Sequence, residues 1–111
     1  MIKIALAQCN PVVGDLEGNL TLCYREAAKA AKAGADLVIF PEMALIGYPP
    51  EDLVQRRSFR EKSIAAAKKL AKKSADFGVA ILIGSLWEDH GELVNAALWM
   101  QDGKIIHTLH K

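Results

Sequence analysis

The chain has 111 residues, a length that suits one domain. Apolar residues make up 51% and charged residues 24%, which is ordinary for a soluble globular protein and excludes a disordered chain. The formal net charge of +1 argues against a nucleic-acid binder. No apolar stretch has the length of a membrane-spanning helix, no secretion signal is apparent, and two cysteines are too few for a disulfide scaffold. We therefore expect a cytoplasmic protein with no nucleic-acid and no membrane partner.

The first part of the chain alternates strand and helix signals. An apolar run over residues 2–8 predicts a strand buried on both faces. Asp15 predicts the N-cap of a helix whose apolar residues recur in steps of three and four. A second buried strand is predicted over residues 37–40, and Pro41 ends it. The apolar stripe of the predicted helix consists of Leu16, Leu20, Cys23, Ala27 and Ala30.

The second part predicts a long helix followed by three strands. A loop with a short helical piece over residues 51–55 precedes the long helix, and strands are predicted over residues 79–84, 93–100 and 105–109. Asp102-Gly103 predicts a two-residue hairpin between the last two strands. The order β-α-β-α-β plus a hairpin predicts an α/β fold.

Lysines on the outer side of the long helix predict a solvated face, because no aromatic residues lie between them. These lysines are Lys62, Lys68, Lys69, Lys72 and Lys73.

Glu42 is the strongest candidate for chemistry. It follows an apolar strand and a proline, at the carboxyl end of the strand, where ligands collect in open α/β sheets. Burial beside apolar side chains would raise the pKa of its carboxyl group and suit it to act as a general base near neutral pH. On position alone, a glutamate that only ends a loop is an equally good interpretation.

Several segments resemble the nitrilase (carbon–nitrogen hydrolase) superfamily, over the whole chain. They are the runs IALAQCNP at residues 4–11, GADLVIFPE at 34–42 and NAAL at 95–98, with Val13-Gly14-Asp15, Asn19 and Asp102-Gly103-Lys104. The run MALIGYPPEDL at residues 43–53 is similar to one branch in particular, the N-terminal glutaminase domain of glutamine-dependent NAD synthetases.

The resemblance implies a fold and a catalytic mechanism. Residues 1–111 would form the N-terminal part of an α-β-β-α sandwich, a partial carbon–nitrogen hydrolase domain with the synthetase domain absent. The family uses a Glu–Lys–Cys triad, in which Glu42 would accept the proton of the thiol and Lys111 would stabilise the oxyanion. The substrate would be glutamine, and its ammonia would serve NAD biosynthesis.

The resemblance also implies which ligands and partners to expect. This domain would need no cofactor and no metal. ATP and deamido-NAD would be bound only by the absent synthetase domain. The full-length protein would form a homo-oligomer.

The chain departs from the family pattern at the nucleophile. The matching cysteine would lie beyond Lys111, Cys9 lies on the first strand, and Cys23 lies on the apolar stripe of the first helix, where a thiol is inert. Whether the chain is an enzyme by itself is therefore left open, and we expect no ammonia release from these residues alone. Two alternatives remain: a fragment of a free-standing amidase of the same superfamily, and a non-catalytic truncated α/β module.

The remaining polar residues are weaker candidates. His107 and His110 are three apart on a strand, so we expect them on opposite faces, without a shared metal. His90 lies in a polar loop and is expected to face solvent. Tyr48 could line a pocket beside Glu42 or only pack against it.

Overall fold

The computed structural model describes residues 1–47 and 57–110. They form one five-stranded sheet of order β1-β2-β3-β4-β5. Strands β1 to β3 are parallel, and β3 to β5 are antiparallel. This arrangement confirms the predicted α/β class and the predicted order of elements. The strands are β1 (Ile4–Leu6), β2 (Leu37–Ile39), β3 (Ala80–Asp89), β4 (Glu92–Gln101) and β5 (Lys104–His110), and the helices are α1 (Leu16–Lys32) and α2 (Arg57–Phe77).

Helix α1 forms as its sequence predicts. The Asp15 carboxylate caps its first turn, accepting a hydrogen bond from the Gly18 backbone N–H at 3.0 Å. After α1, Gly34 adopts a φ of 85°, a conformation that glycine takes without strain. The predicted stripe faces the core, with Leu16 half-buried and the other members buried. The buried members are Leu20, Cys23, Ala27 and Ala30.

Helix α2 packs beside α1 on the same face of the sheet. Its apolar side is buried and its five lysines are exposed, which confirms the predicted solvated face. Ser74 joins the helix to the β4–β5 turn, because its Oγ accepts a hydrogen bond from the Gly103 N–H at 3.1 Å. The predicted helical piece over residues 51–55 lies outside the described residues. Within residues 1–47 and 57–110, neither helix combines the length and the hydropathy needed to cross a bilayer.

The β4–β5 hairpin confirms the turn predicted at Asp102-Gly103. Both residues have positive φ, 54° and 82°, as a type I′ turn requires. The predicted end of the third strand at Gly84 was wrong. Strand β3 continues to Asp89, because its backbone pairs with β4 over nine residue pairs, including Gly84 with Ala97.

The prediction that the first strand is buried on both faces was also wrong. Ala5 faces the helices, whereas Ile4 and Leu6 are 53% and 72% exposed. The reason is that β1 is an edge strand of a sheet whose helices cover one face only. We call the other face the open face, and the register places Leu109 of β5, 65% exposed, on it as well. A single sheet with helices on one side is the half-sandwich that the resemblance predicts.

Candidate active site

Glu42 lies at the carboxyl end of β2, where the sequence analysis expects it. The chain on both sides of Glu42 is bonded to β3: the Phe40 N–H donates to the Leu82 carbonyl at 2.9 Å, and the Met43 N–H donates to the Gly84 carbonyl at 3.1 Å. Glu42 itself is half-buried. Its backbone is therefore fixed relative to the sheet.

Gly84 provides the space that Glu42 occupies. A Cβ atom built on Gly84 would lie 3.3 Å from the Glu42 Cα and 3.4 Å from its Cγ, closer than side chains normally approach. Gly84 pairs with Ala97, which in turn pairs with Leu109, so this missing side chain would point to the open face. The Glu42 side chain thus lies over β3, on the open face.

Asn95, on strand β4, forms a hydrogen bond with the Glu42 carboxylate. Its Nδ2 donates a hydrogen bond to Glu42 Oε1 at 3.3 Å. A carboxylate only accepts hydrogen bonds, so this contact fixes which end of the amide faces Glu42. The Asn95 Oδ1 is buried and has no hydrogen-bond partner within the described part of the chain.

Asn19 ties the loop after Glu42 to helix α1. Its side chain is 2% exposed and makes three hydrogen bonds. Its Nδ2 donates to the carbonyls of Val12 at 2.8 Å and Leu45 at 2.9 Å, and its Oδ1 accepts from the Val12 N–H at 2.8 Å. Because Leu45 follows Glu42 by three residues, these bonds fix the loop that carries the carboxylate.

Neither cysteine of the chain suits nucleophilic catalysis. Burial raises the pKa of the Cys23 thiol to about 12, with smaller contributions from Cys9 and Glu26. Burial, followed by the charge of Glu26, also raises the pKa of the Cys9 thiol. Both groups are therefore protonated at neutral pH, and the thiol is a far weaker nucleophile than the thiolate.

The histidines do not lie together. His107 pairs with Trp99 and His110 with Ala96, which confirms that the two imidazoles are on opposite faces of β5. His110 Nε2 is 3.0 Å from an oxygen of Asp89. Residues 1–47 and 57–110 contain no cluster of three or more His, Cys, Asp or Glu side chains that could hold a metal ion. His90 is exposed, as predicted.

Two residues named in the sequence analysis, Lys111 and Tyr48, lie outside the described residues.

The comparison with protein families decides the family. The model of the carbon-nitrogen hydrolase family matches residues 3–111. The chain belongs to the carbon–nitrogen hydrolase family. Among its relatives are the glutamine-dependent NAD(+) synthetases of Thermotoga maritima, 39% identical over 99% of the chain, and of Synechocystis, 37% identical over 100% of it. The chain spans about a fifth of the length of these relatives, 19% and 21%.

Solved carbon–nitrogen hydrolase structures share the fold. The glutamine-dependent NAD+ synthetase of Acinetobacter baumannii superposes with a TM-score of 0.89 at 32% identity, over 99% of this chain and 20% of that one. An amidase from Nesterenkonia superposes with a TM-score of 0.87 at 27% identity, over 99% of this chain and 42% of that one. Both superpositions support the half-sandwich, a single sheet with helices on one face.

Two contacts of this carbon–nitrogen hydrolase site escaped the sequence analysis. A lone glycine inside an apolar strand is a recognised sign that another backbone approaches closely, so Gly84 carried a signal that was available. Asn95 was noted in the sequence only as the first residue of the run NAAL, with no role assigned to it. Its partner Glu42 is 53 residues away in the sequence, and no local pattern encodes that contact.

A groove on the helix-covered face of the sheet is separate from the candidate active site. It has a volume of about 660 Å³ and lies between the N-terminal end of α1 and the N-terminal half of α2. Leu20, Phe59 and Lys62 are among its lining residues, whereas Glu42, Gly84 and Asn95 are not.

Proposed function

We propose that residues 1–111 are the N-terminal part of the glutaminase domain of a glutamine-dependent NAD synthetase, with Glu42 as the proton acceptor. The observation that carries this proposal is the position of the Glu42 carboxylate, half-buried on the open face and hydrogen-bonded by Asn95. The relatives support the substrate, since four glutamine-dependent NAD(+) synthetases are 36–39% identical over at least 94% of this chain.

The proposed reaction begins with proton transfer to Glu42. The carboxylate takes the proton of a cysteine thiol, and the thiolate attacks the side-chain amide carbon of glutamine. Glu42 returns the proton to the amide nitrogen of the tetrahedral intermediate, and this nitrogen leaves as ammonia. A thioester remains, which water hydrolyses to glutamate and the free thiol.

The cysteine of this reaction would come from a part of the polypeptide beyond residue 111. Support comes from the two thiols of this chain, whose pKa values are both raised. It also comes from one Nesterenkonia amidase structure, in which an acetamide moiety is bound covalently to the active site cysteine.

We assign stabilisation of the oxyanion to the ammonium group of Lys111. The support is the β4–β5 register. His110, the last described residue, pairs with Ala96, the direct neighbour of Asn95. The strand that leads to Lys111 therefore ends beside the residue that contacts Glu42.

The open face suggests where the rest of the domain would pack. Its exposed apolar side chains, Ile4, Leu6 and Leu109, form a surface of the kind that soluble monomers rarely leave uncovered. In the α-β-β-α sandwich a second sheet would cover this face and enclose Glu42. We expect the 111-residue chain alone to self-associate, and sedimentation measures this directly.

The proposal extends to the remaining partners of the whole protein. Ammonia would pass to a synthetase domain that uses ATP and deamido-NAD, whereas the glutaminase domain would use no cofactor. The whole protein would be a cytoplasmic homo-oligomer without nucleic-acid or membrane partners.

A free-standing amidase is the second candidate. The likeness to the Nesterenkonia amidase, which superposes with a TM-score of 0.87, favours it. An open reading frame that continues into an ATP-binding domain would decide for the synthetase. A non-catalytic α/β module is the outcome if no cysteine follows.

The test is ammonia release from glutamine by the polypeptide that continues beyond Lys111. Glu42→Gln should lower kcat by at least about 100-fold, the usual contribution of a general base. The exposed Glu17→Gln serves as the matched control and should retain activity. The 111-residue chain alone should release no ammonia. Full activity of Glu42→Gln would contradict the proposal.

A further inference from the structure

We propose that Asn95 is a positioning residue of this reaction and that its amide N–H, more than its volume, is what the reaction requires. The inference rests on the proposed function of Glu42. It follows from the 3.3 Å hydrogen bond between Asn95 Nδ2 and Glu42 Oε1.

The sheet geometry explains why the carboxylate needs such a partner. Glu42 starts from the loop after β2 and lies over β3 at Gly84, where the missing side chain leaves room for it. Asn95 belongs to β4, the next strand, and is paired there with Leu86. Its hydrogen bond to Glu42 Oε1 therefore contributes to how far the carboxylate extends across the sheet and how its plane is oriented. Fixed placement of a base is a large part of its catalytic effect.

The chemistry of the contact favours the ionised carboxylate. A hydrogen bond from an N–H group stabilises the charged form over the neutral one. Only the charged form can accept the thiol proton. Asn95 thus opposes the effect of burial, which by itself favours the protonated carboxyl group.

Stability alone does not account for an asparagine at this position. The Asn95 Oδ1 is buried and has no hydrogen-bond partner among the described residues, so the amide bears part of the cost of desolvation without compensation. An apolar residue of the same shape would avoid this cost, but it would deprive the Glu42 carboxylate of this donor. The N–H donated to Glu42 is what an apolar residue could not supply.

The decisive experiment compares two variants of Asn95 in the polypeptide that continues beyond Lys111. Asn95→Leu removes the donor and keeps the branched shape of the side chain, so kcat for glutamine should fall about 10-fold with KM unchanged. The urea midpoint should stay near that of the wild type, because water can hydrate the half-buried Glu42 carboxylate. Asn95→Asp keeps the shape and places a second carboxylate beside the first, so kcat should fall further. Gln101→Leu, an exposed amide on the same strand, is the control and should behave as the wild type.

Three kinetic results would overturn the inference: an unchanged kcat in Asn95→Leu, a kcat of Asn95→Asp at or above that of Asn95→Leu, or a loss of kcat that follows a loss of stability.

A spectroscopic measurement separates this inference from the proposed function. In the polypeptide that continues beyond Lys111, the side-chain amide proton signals of Asn95 should shift when Glu42 is replaced by leucine. A shift without glutamine hydrolysis by the longer polypeptide refutes the glutaminase and retains the contact, whereas no shift refutes the contact itself.

Discussion

The Asn19→Ala substitution tests how the loop that carries Glu42 is held. Asn19 is 2% exposed, and its three hydrogen bonds join α1 to two loops. The substitution removes all of them at once and leaves a small cavity. We therefore expect a large loss of stability, although the substituted residue lies outside the sheet.

The magnitude follows from the burial of the groups that lose their partner. Leu45 is fully buried, so its carbonyl cannot reach water, and an unsatisfied buried acceptor costs about 1–3 kcal/mol. Val12 is 61% exposed, so its N–H and carbonyl can rehydrate, and each lost hydrogen bond costs about 0.5–1.5 kcal/mol. The total is about 4 kcal/mol, a large share of the roughly 5–15 kcal/mol that stabilises a typical domain.

Urea denaturation followed by tryptophan fluorescence and circular dichroism measures this loss, with Trp87 and Trp99 as reporters in the sheet. Asn10→Ala, an exposed asparagine before the same loop, is the control and should change the free energy of unfolding by less than about 0.5 kcal/mol. A loss below about 1 kcal/mol in Asn19→Ala would refute the reasoning, because the three hydrogen bonds would then contribute nothing measurable.

Two further predictions concern the core and the site. Burial raises the pKa of Cys23 from 9.0 to about 12, so above pH 9 the unfolded chain loses a proton that the folded chain keeps, and stability should fall by about 1.4 kcal/mol per pH unit. Urea unfolding above pH 9.0 and below about pH 12 should approach this slope in the wild type and show a shallower one in Cys23→Ala; parallel curves would contradict the pKa shift. Gly84→Ala should displace Glu42 by a few tenths of an ångström and lower glutamine turnover by at least about 10-fold. Because alanine also restricts the unfolded chain, its urea midpoint should stay near that of the wild type, and unchanged turnover would show that the space at Gly84 is not required.

The features that the sequence predicts are those that depend on near neighbours. Asp15 caps α1 through a residue three positions away, and Asp102-Gly103 forms its hairpin through the backbone preferences of these two residues. The position of Glu42 followed from the end of an apolar strand. Each of these patterns is contained within a few consecutive residues.

The features that the sequence does not predict depend on distant parts of the chain. The exposure of Ile4 and Leu6 depends on both helices packing on the same face, which no pattern within β1 records. The role of Gly84 depends on the path of the chain 42 residues earlier, and the contact of Asn95 with Glu42 spans 53 residues. Long-range pairing decides these points.

Thiol reactivity tests most directly whether Glu42 is the base. In the polypeptide that continues beyond Lys111, the rate of alkylation of the nucleophilic cysteine by iodoacetamide at pH 7 reports how readily its proton is removed. We expect Glu42→Gln to slow this alkylation by about 10-fold or more while the fold is retained, and Glu17→Gln to leave it unchanged. Equal alkylation rates in the wild type and in Glu42→Gln would contradict the central claim.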